Sequence, residues 1–238
     1  MNAEAPNKTQ AVDETMERAS LALERCDYFD AERLCVRALD RAWGLHDYER
    51  MSRICMPLQE ARRQVRQLAA DTGRCVVLNS TIPRSGVVEP GCYLLEPPLL
   101  GIDAHTFRGI CVGKRVPAII LTREPLTRKG TWPIVAVGTG PTTPISVRVY
   151  VPPLATMPPD AGWFQSVSEM LGDEAIRKLE PGVAAWRVDD LLHALDAVPD
   201  HEKLVQLLGE TCRQAAGEPP PTRRRRRGFE DDDDADPF

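Results

Sequence analysis

An α+β fold is predicted by three observations. Residues 11–72 carry apolar side chains at helical spacing with a single glycine, Gly44. Residues 74–153 switch to β-branched runs punctuated by proline and glycine, and residues 161–216 return to helical spacing. The 238 residues thus divide into a polar N-terminus (1–10) expected to be disordered, an N-terminal helical unit (11–72), a mixed α/β sheet unit (74–153), a C-terminal three-helix segment (161–216) and a disordered Arg/Asp tail (217–238). A chain of this length buries roughly 70–75% of its unfolded surface, so no disulfide or metal staple is needed to hold it.

In the first helical unit Met16, Ala19 and Leu23, then Leu34, Ala38 and Leu39, recur at i, i+3, i+4 and i+7. Cys26-Asp27-Tyr28-Phe29-Asp30-Ala31 marks the turn between two helices. Over about residues 16–45 this pattern resembles a tetratricopeptide hairpin, in which a Gly-Asp-Tyr-like turn precedes a small residue followed seven positions on by Ala-Leu. Ala31 and Ala38-Leu39 match those places, and Ala19 matches the small residue of the family's first helix. Cys26 stands where the family has the turn glycine, and Trp43-Gly44 stands near the closing proline's place. The resemblance implies a partner-binding helical hairpin and no catalytic residue. A further helix is expected from Asp47 to about Ala70, kinked or ended in its first part by Pro57. One hairpin cannot bury its apolar face alone, so the three helices are expected to pack on the rest of the chain or on another subunit, which leaves a homo-oligomer open. Tyr28 at the turn and the cations Arg62, Arg63 and Arg66 are the candidate partner-binding residues here. A simply solvated face is the competing account of the three arginines.

In the central unit Cys75–Leu78, Cys92–Leu95, Ala118–Leu121, Ile134–Val137 and Val147–Val151 read as strands. Asp103 is expected to N-cap a short helix carrying Phe107, Ile110 and Cys111 on one face. Strand, helix and strand from Cys92 to Leu121 fit one right-handed β-α-β crossover with parallel strands. The later connections are too short for helices, which predicts antiparallel pairing and a small mixed sheet.

The two crossover strands run into Glu96-Pro97 and Glu124-Pro125, which places both glutamates at one carboxyl edge, where ligands of open α/β sheets collect. Asp103, His105 and Arg128 could reach the same edge, so these five are the candidate ligand-binding set. Paired carboxylates can divide acid and base roles or hold a hard cation. Against this, proline can simply end each strand and leave its glutamate in solvent. Gly138-Thr139-Gly140-Pro141-Thr142-Thr143 fails both phosphate-loop patterns, because no Gly-Lys-Ser/Thr follows and no helix begins after it. No serine has a nucleophile-elbow setting, and no catalytic residue is assigned. No cofactor or metal site is expected, since the four histidines join no cysteine at zinc-ligand spacing.

In the C-terminal segment Trp163, Val167, Met170 and Leu171 form one stripe, and Val188, Leu191, Leu192 and Leu195 another. Asp200 is expected to cap a last helix with Leu204, Leu207, Leu208 and Cys212 inside. The tail sets Arg223 to Arg227 four residues from Asp231–Asp234, so the two fields largely cancel beyond a Debye length of about 8 Å. Arg223, Arg225 and Arg227 complete the candidate partner-binding set.

The net charge of −5 includes a tail of seven acids and five bases, so the body is near neutral. That argues against a nucleic-acid surface. The seven cysteines, none in a Cys-x-x-Cys pair, are expected to be reduced, buried and inert in a reducing compartment. The opening residues lack the apolar core of a signal peptide, and no apolar run reaches the roughly 20 residues of a membrane span. The sequence therefore predicts a cytoplasmic, non-enzymatic interaction or scaffold protein with an unassigned protein partner. The alternative is a small-molecule-binding or enzymatic α/β domain whose site lies at the strand ends.

Overall fold

The computed structural model describes residues 8–139 and 145–219. Within them seven helices surround a five-stranded mixed sheet, an α+β fold. The expected disorder at residues 1–7 and 220–238, the phosphate-loop-like segment from Gly140 to Thr143, and Arg223, Arg225 and Arg227 lie outside the described residues. Residues 8–10, expected to be disordered, are already helical.

Helices α1 (Lys8–Glu24), α2 (Tyr28–Gly44) and α3 (Tyr48–Asp71) are joined by two turns built alike. At the first, Cys26 takes a left-handed backbone (φ 57) and the Asp27 carboxylate accepts from Asp30 N at 3.2 Å. At the second, His46 (φ 54) precedes Asp47, which accepts from Arg50 N at 3.1 Å. In each, a left-handed residue closes one helix and an aspartate caps the next. Each aspartate is followed by a tyrosine, Tyr28 or Tyr48, so the Asp-Tyr turn is duplicated. Ala19, Ala31, Ala38 and Ala42 are buried where the helices close on one another.

Pro57 neither ends α3 nor divides it in two; the helix runs on to Asp71. Met51, Ile54 and Cys55 before the proline and Leu58 and Ala61 after it are all buried. Packing on both sides thus outweighs the backbone hydrogen bond that proline forfeits.

Strands β1 (Cys75–Leu78) and β2 (Gly91–Leu95), helix α4 (Gly101–Gly113), and strands β3 (Ala118–Arg123), β4 (Trp132–Gly138) and β5 (Ile145–Val151) follow. The sheet order is β1-β2-β3-β4-β5. β2 and β3 are parallel across the α4 crossover, and β3–β4 and β4–β5 are antiparallel. β1–β2 is also parallel, with no helix in its connection. Instead Ile82 and Val88 of residues 79–90 are buried in the α4-side core.

Helices α5 (Ala161–Arg177), α6 (Ala184–Ala197) and α7 (Glu202–Gly217) complete the fold. Strand alternation divides the interior. Cys92, Leu94, Ile119, Leu121, Ile134 and Val149 share the main core with α1–α3 and α5–α7, while Tyr93, Leu95 and Ile120 meet Phe107 and Cys111 of α4. The Tyr93 and Phe107 rings meet edge to face at 5.1 Å. α7 lies along α3, where a Cβ added at Gly209 would stand 3.3 Å from that of Cys55. The N- and C-terminal helices therefore share one interior.

Three local expectations are corrected. Leu100, not Asp103, is the N-cap of α4; Asp103 sits in the first turn and accepts from Leu100 N at 2.8 Å. The buried stripe of α5 is Phe164, Val167, Leu171 and Ala175, with Met170 exposed, because its core-facing side is turned from the one expected. α7 is capped by His201, one residue after Asp200, whose ring accepts from Leu204 N.

Candidate functional site

Glu96 and Glu124 continue the ladders of β2 and β3, their amides donating to Leu78 O and Pro133 O at 2.8 Å each. Alternation then decides their geometry. Glu96 stands opposite Arg123 and pairs with it at 2.8 Å, on the face that carries Leu94 and Leu121. The Arg123 guanidinium also lies 4.9 Å from the Trp132 ring centroid. Glu124, one residue past Arg123, turns to the other face and is gripped by Arg148 with two hydrogen bonds of 2.8 and 3.1 Å. Each carboxylate thus has its own guanidinium, on its own side of the sheet. Asp103 is engaged in the first turn of α4, and Arg128 is exposed on the β3–β4 turn. Of the five candidate ligand-binding residues His105 lines the cavity between α4, the sheet and the α6–α7 turn, and the other four are not in its lining.

That cavity exists because the sheet splits. β3 and β4 pair at Thr122–Val135 and Arg123–Ile134, and toward Ala118 and Gly138 no pairing continues. The opening is lined by His105 and Arg108 of α4, Val137 of β4, Ser168 of α5, and Asp200 and His201 at the α6–α7 turn. Arg108 and Asp200 approach to 3.9 Å from the two layers of helices. The enclosed space is about 30 Å³, room for about two waters at 10–15 Å³ each.

His201 is the most constrained group at this opening. Its side chain is fully buried, Nδ1 accepts from Leu204 N at 3.3 Å, and Nε2 lies 3.3 Å from Glu169 Oε2 and 3.5 Å from Asp173 Oδ1. With Nδ1 accepting, the neutral ring carries its proton on Nε2. Burial holds its pKa below the usual histidine value, opposed by Glu169 and Asp173.

The candidate partner-binding residues separate into two groups. Arg62 is turned inward, donating to Glu32 at 2.8 Å and to Pro199 O at 2.9 Å. Arg66 bridges Glu169 (2.9 Å), Glu202 (2.6 Å) and Asp200 O (3.2 Å). Two α3 arginines thus fasten the α6–α7 turn. Tyr28 and Arg63 stay at the surface, where Tyr28 shares a patch with exposed Cys26, Glu60 and Arg63. The hydrogen bond with Cys26 raises the Tyr28 pKa, helped by the Glu60 charge.

Arg108, Asp200 and His201 had no motif to announce them. The one local signal was His201 itself, a side chain able to accept a hydrogen bond immediately before the helical run from Glu202. No helix among the described residues is long and apolar enough to cross a membrane. No family model, curated protein or solved structure matches the chain.

Proposed function

We propose that this chain is a non-enzymatic protein–protein interaction protein whose docking surface lies where the α1–α2 turn meets α3. The observation that carries this reading is the duplicated Asp-Tyr turn, which stacks α1, α2 and α3 in the manner of a helical repeat while α7 lies along α3. A repeat-like stack built into a larger core holds its exposed surface rigid, which lowers the entropic cost of docking a partner. Tyr28 offers an amphipathic ring at that surface and Arg63 a guanidinium held in place by Glu60 through two hydrogen bonds of 2.9 Å, residue types that contribute strongly at interfaces. The odd cysteine count, with no Cys-x-x-Cys pair, supports a reducing, cytoplasmic setting.

Small-molecule binding is the second reading, favoured by the opening between β3 and β4. Its water-sized volume is too small for most metabolites, so the interaction reading stands first.

Removing residues 11–72 would take away part of the shared core, so point substitutions make the better test. Full-length protein and a Tyr28→Ala/Arg63→Glu variant of equal melting temperature are compared in quantitative affinity purification. A partner captured by the first and lost by the second is the expected result. Equal capture by both, or none by either, would refute the surface assignment.

A further inference from the structure

Seven free cysteines are present, and two of them are register partners: Cys75 of β1 lies directly across from Cys92 of β2. Partners in neighbouring parallel strands are about 4.8 Å apart and point to the same face, within the roughly 4.4–6.8 Å Cα separation of disulfides. Both side chains face the main core, and each thiol acts on the other, Cys92 lowering the pKa of Cys75 and Cys75 raising that of Cys92. Cys75 is part-exposed whereas Cys92 is buried. The arrangement therefore offers one accessible thiol backed by one hidden thiol.

We propose that Cys75 and Cys92 form a redox-active dithiol that closes to a cross-strand disulfide when a low-molecular-weight disulfide such as oxidised glutathione is present. The Cys75 thiolate attacks one sulfur of oxidised glutathione, breaking its S–S bond and releasing one glutathione thiolate. Cys92 then loses its proton to solvent and attacks the Cys75 sulfur, displacing the second glutathione. Two protein thiols are oxidised, one glutathione disulfide is reduced to two glutathiones, and the two protein thiol protons pass through solvent to the glutathione thiolates released. Burial pushes the Cys92 thiol up to about 12, so the second step is the slow one and quickens with rising pH. Burial also raises Cys75, while the neighbouring Cys92 thiol favours its thiolate.

The bond would act on a particular piece of structure. β1 is an edge strand, held in the sheet by β2. A Cys75–Cys92 disulfide would pin that edge and close residues 76–91 into a ring, restricting the unfolded chain.

The test treats the full-length protein with oxidised glutathione, blocks remaining thiols, and maps peptides without reduction. The expected product joins the Cys75 and Cys92 peptides, carries no glutathione on either of those two residues and melts above the reduced protein. Cys92→Ala is expected to stop with one glutathione on Cys75, and Cys75→Ser to leave Cys92 unmodified. Circular dichroism establishes that each variant is folded. Wild-type mapping alone decides if either variant is not. The proposal is overturned if wild type keeps glutathione on Cys75, joins other cysteines, or gives the joined peptides only in denaturant. It is equally overturned if folded wild type fails to react.

Discussion

Gly172 of α5 lies directly against the His201 ring, so close that a Cβ at position 172 would stand 2.0 Å from His201 Cγ. Glycine in mid-helix costs about 1 kcal/mol relative to alanine, so on propensity alone Gly172→Ala would stabilise α5. Here the ring has nowhere to go, because it is buried and holds the first turn of α7. Overpacking of this kind costs about 1–3 kcal/mol, and displacing His201 would also forfeit an N-cap worth about 1 kcal/mol. Gly172→Ala is therefore expected to lower unfolding stability by about 1–3 kcal/mol in urea titrations. A stability equal to or above wild type would show that the ring can move at no cost.

The same histidine sets a pH dependence. The groups facing it are Glu169 and Asp173 on α5, Lys203 on α7 and Arg66 on α3. Its folded pKa is lowered, so as pH falls the unfolded chain takes up the proton first. The contribution is complete above the unfolded histidine value of about 6.5 and is lost as pH drops below it. The slope expected from this one site is at most about 1.4 kcal/mol per pH unit. A separate loss occurs at lower pH, where Asp13, lowered by its hydrogen bond from Arg50, and Asp173, lowered by Lys203, become protonated. His201→Asn keeps a capping oxygen without the titration. Urea stability measured from pH 7.5 to 5 is expected to slope for wild type and flatten for the variant. Parallel curves would remove His201 as the source.

Arg66 supplies a third test. Its guanidinium joins α3 to α5 and to the start of α7 through Glu169, Glu202 and Asp200 O. Loss of a buried ion-pair partner costs about 3–5 kcal/mol, but Glu169 is 40% and Glu202 28% exposed, so water recovers part of that. Arg66→Ala is expected to cost about 1–3 kcal/mol. Arg66→Lys should recover only part, because an ammonium cannot reproduce a planar fork reaching three acceptors. Equal stability of the lysine variant and wild type would reduce the contact to a single charge pair.

What the chain discloses by itself follows distance along the sequence. The α+β order, the β2–α4–β3 crossover and the core positions Leu34, Phe107, Leu191 and Leu204 come from periodicities that each segment carries internally. Arg62 and Arg66 look like a solvated stripe because their acceptors are distant in sequence, Glu32 by 30 positions, Glu169 by 103, and Pro199, Asp200 and Glu202 by more than 130. Glu96 and Glu124 look alike in sequence, each at a strand end before proline. A one-residue difference in register sends them to opposite faces and opposite partners. Pro57 is a breaker by local rules, but packing on both sides decides the helix. The opening at His201 is illegible for another reason: it arises where β3 and β4 cease to pair, and no residue there marks that separation.

The turn at Cys26 permits a prediction of opposite sign. Cys26 adopts φ 57 and His46 φ 54, conformations in which side-chain-bearing residues are strained by about 1 kcal/mol and glycine is not. Glycine also makes the unfolded chain more flexible, which returns part of the gain. At Cys26 the side chain is exposed and its hydrogen bond with Tyr28 lies at the surface, so little else is lost. Cys26→Gly is therefore expected to stabilise the protein by about 0.5 kcal/mol, whereas Cys26→Val, β-branched and intolerant of positive φ, should destabilise it by about 1–2 kcal/mol. Thermal melts of the two variants against wild type give the order directly: glycine highest, valine lowest. If glycine melted below wild type, the Cys26–Tyr28 contact would outweigh the backbone strain, and that thiol would be a structural part of the turn.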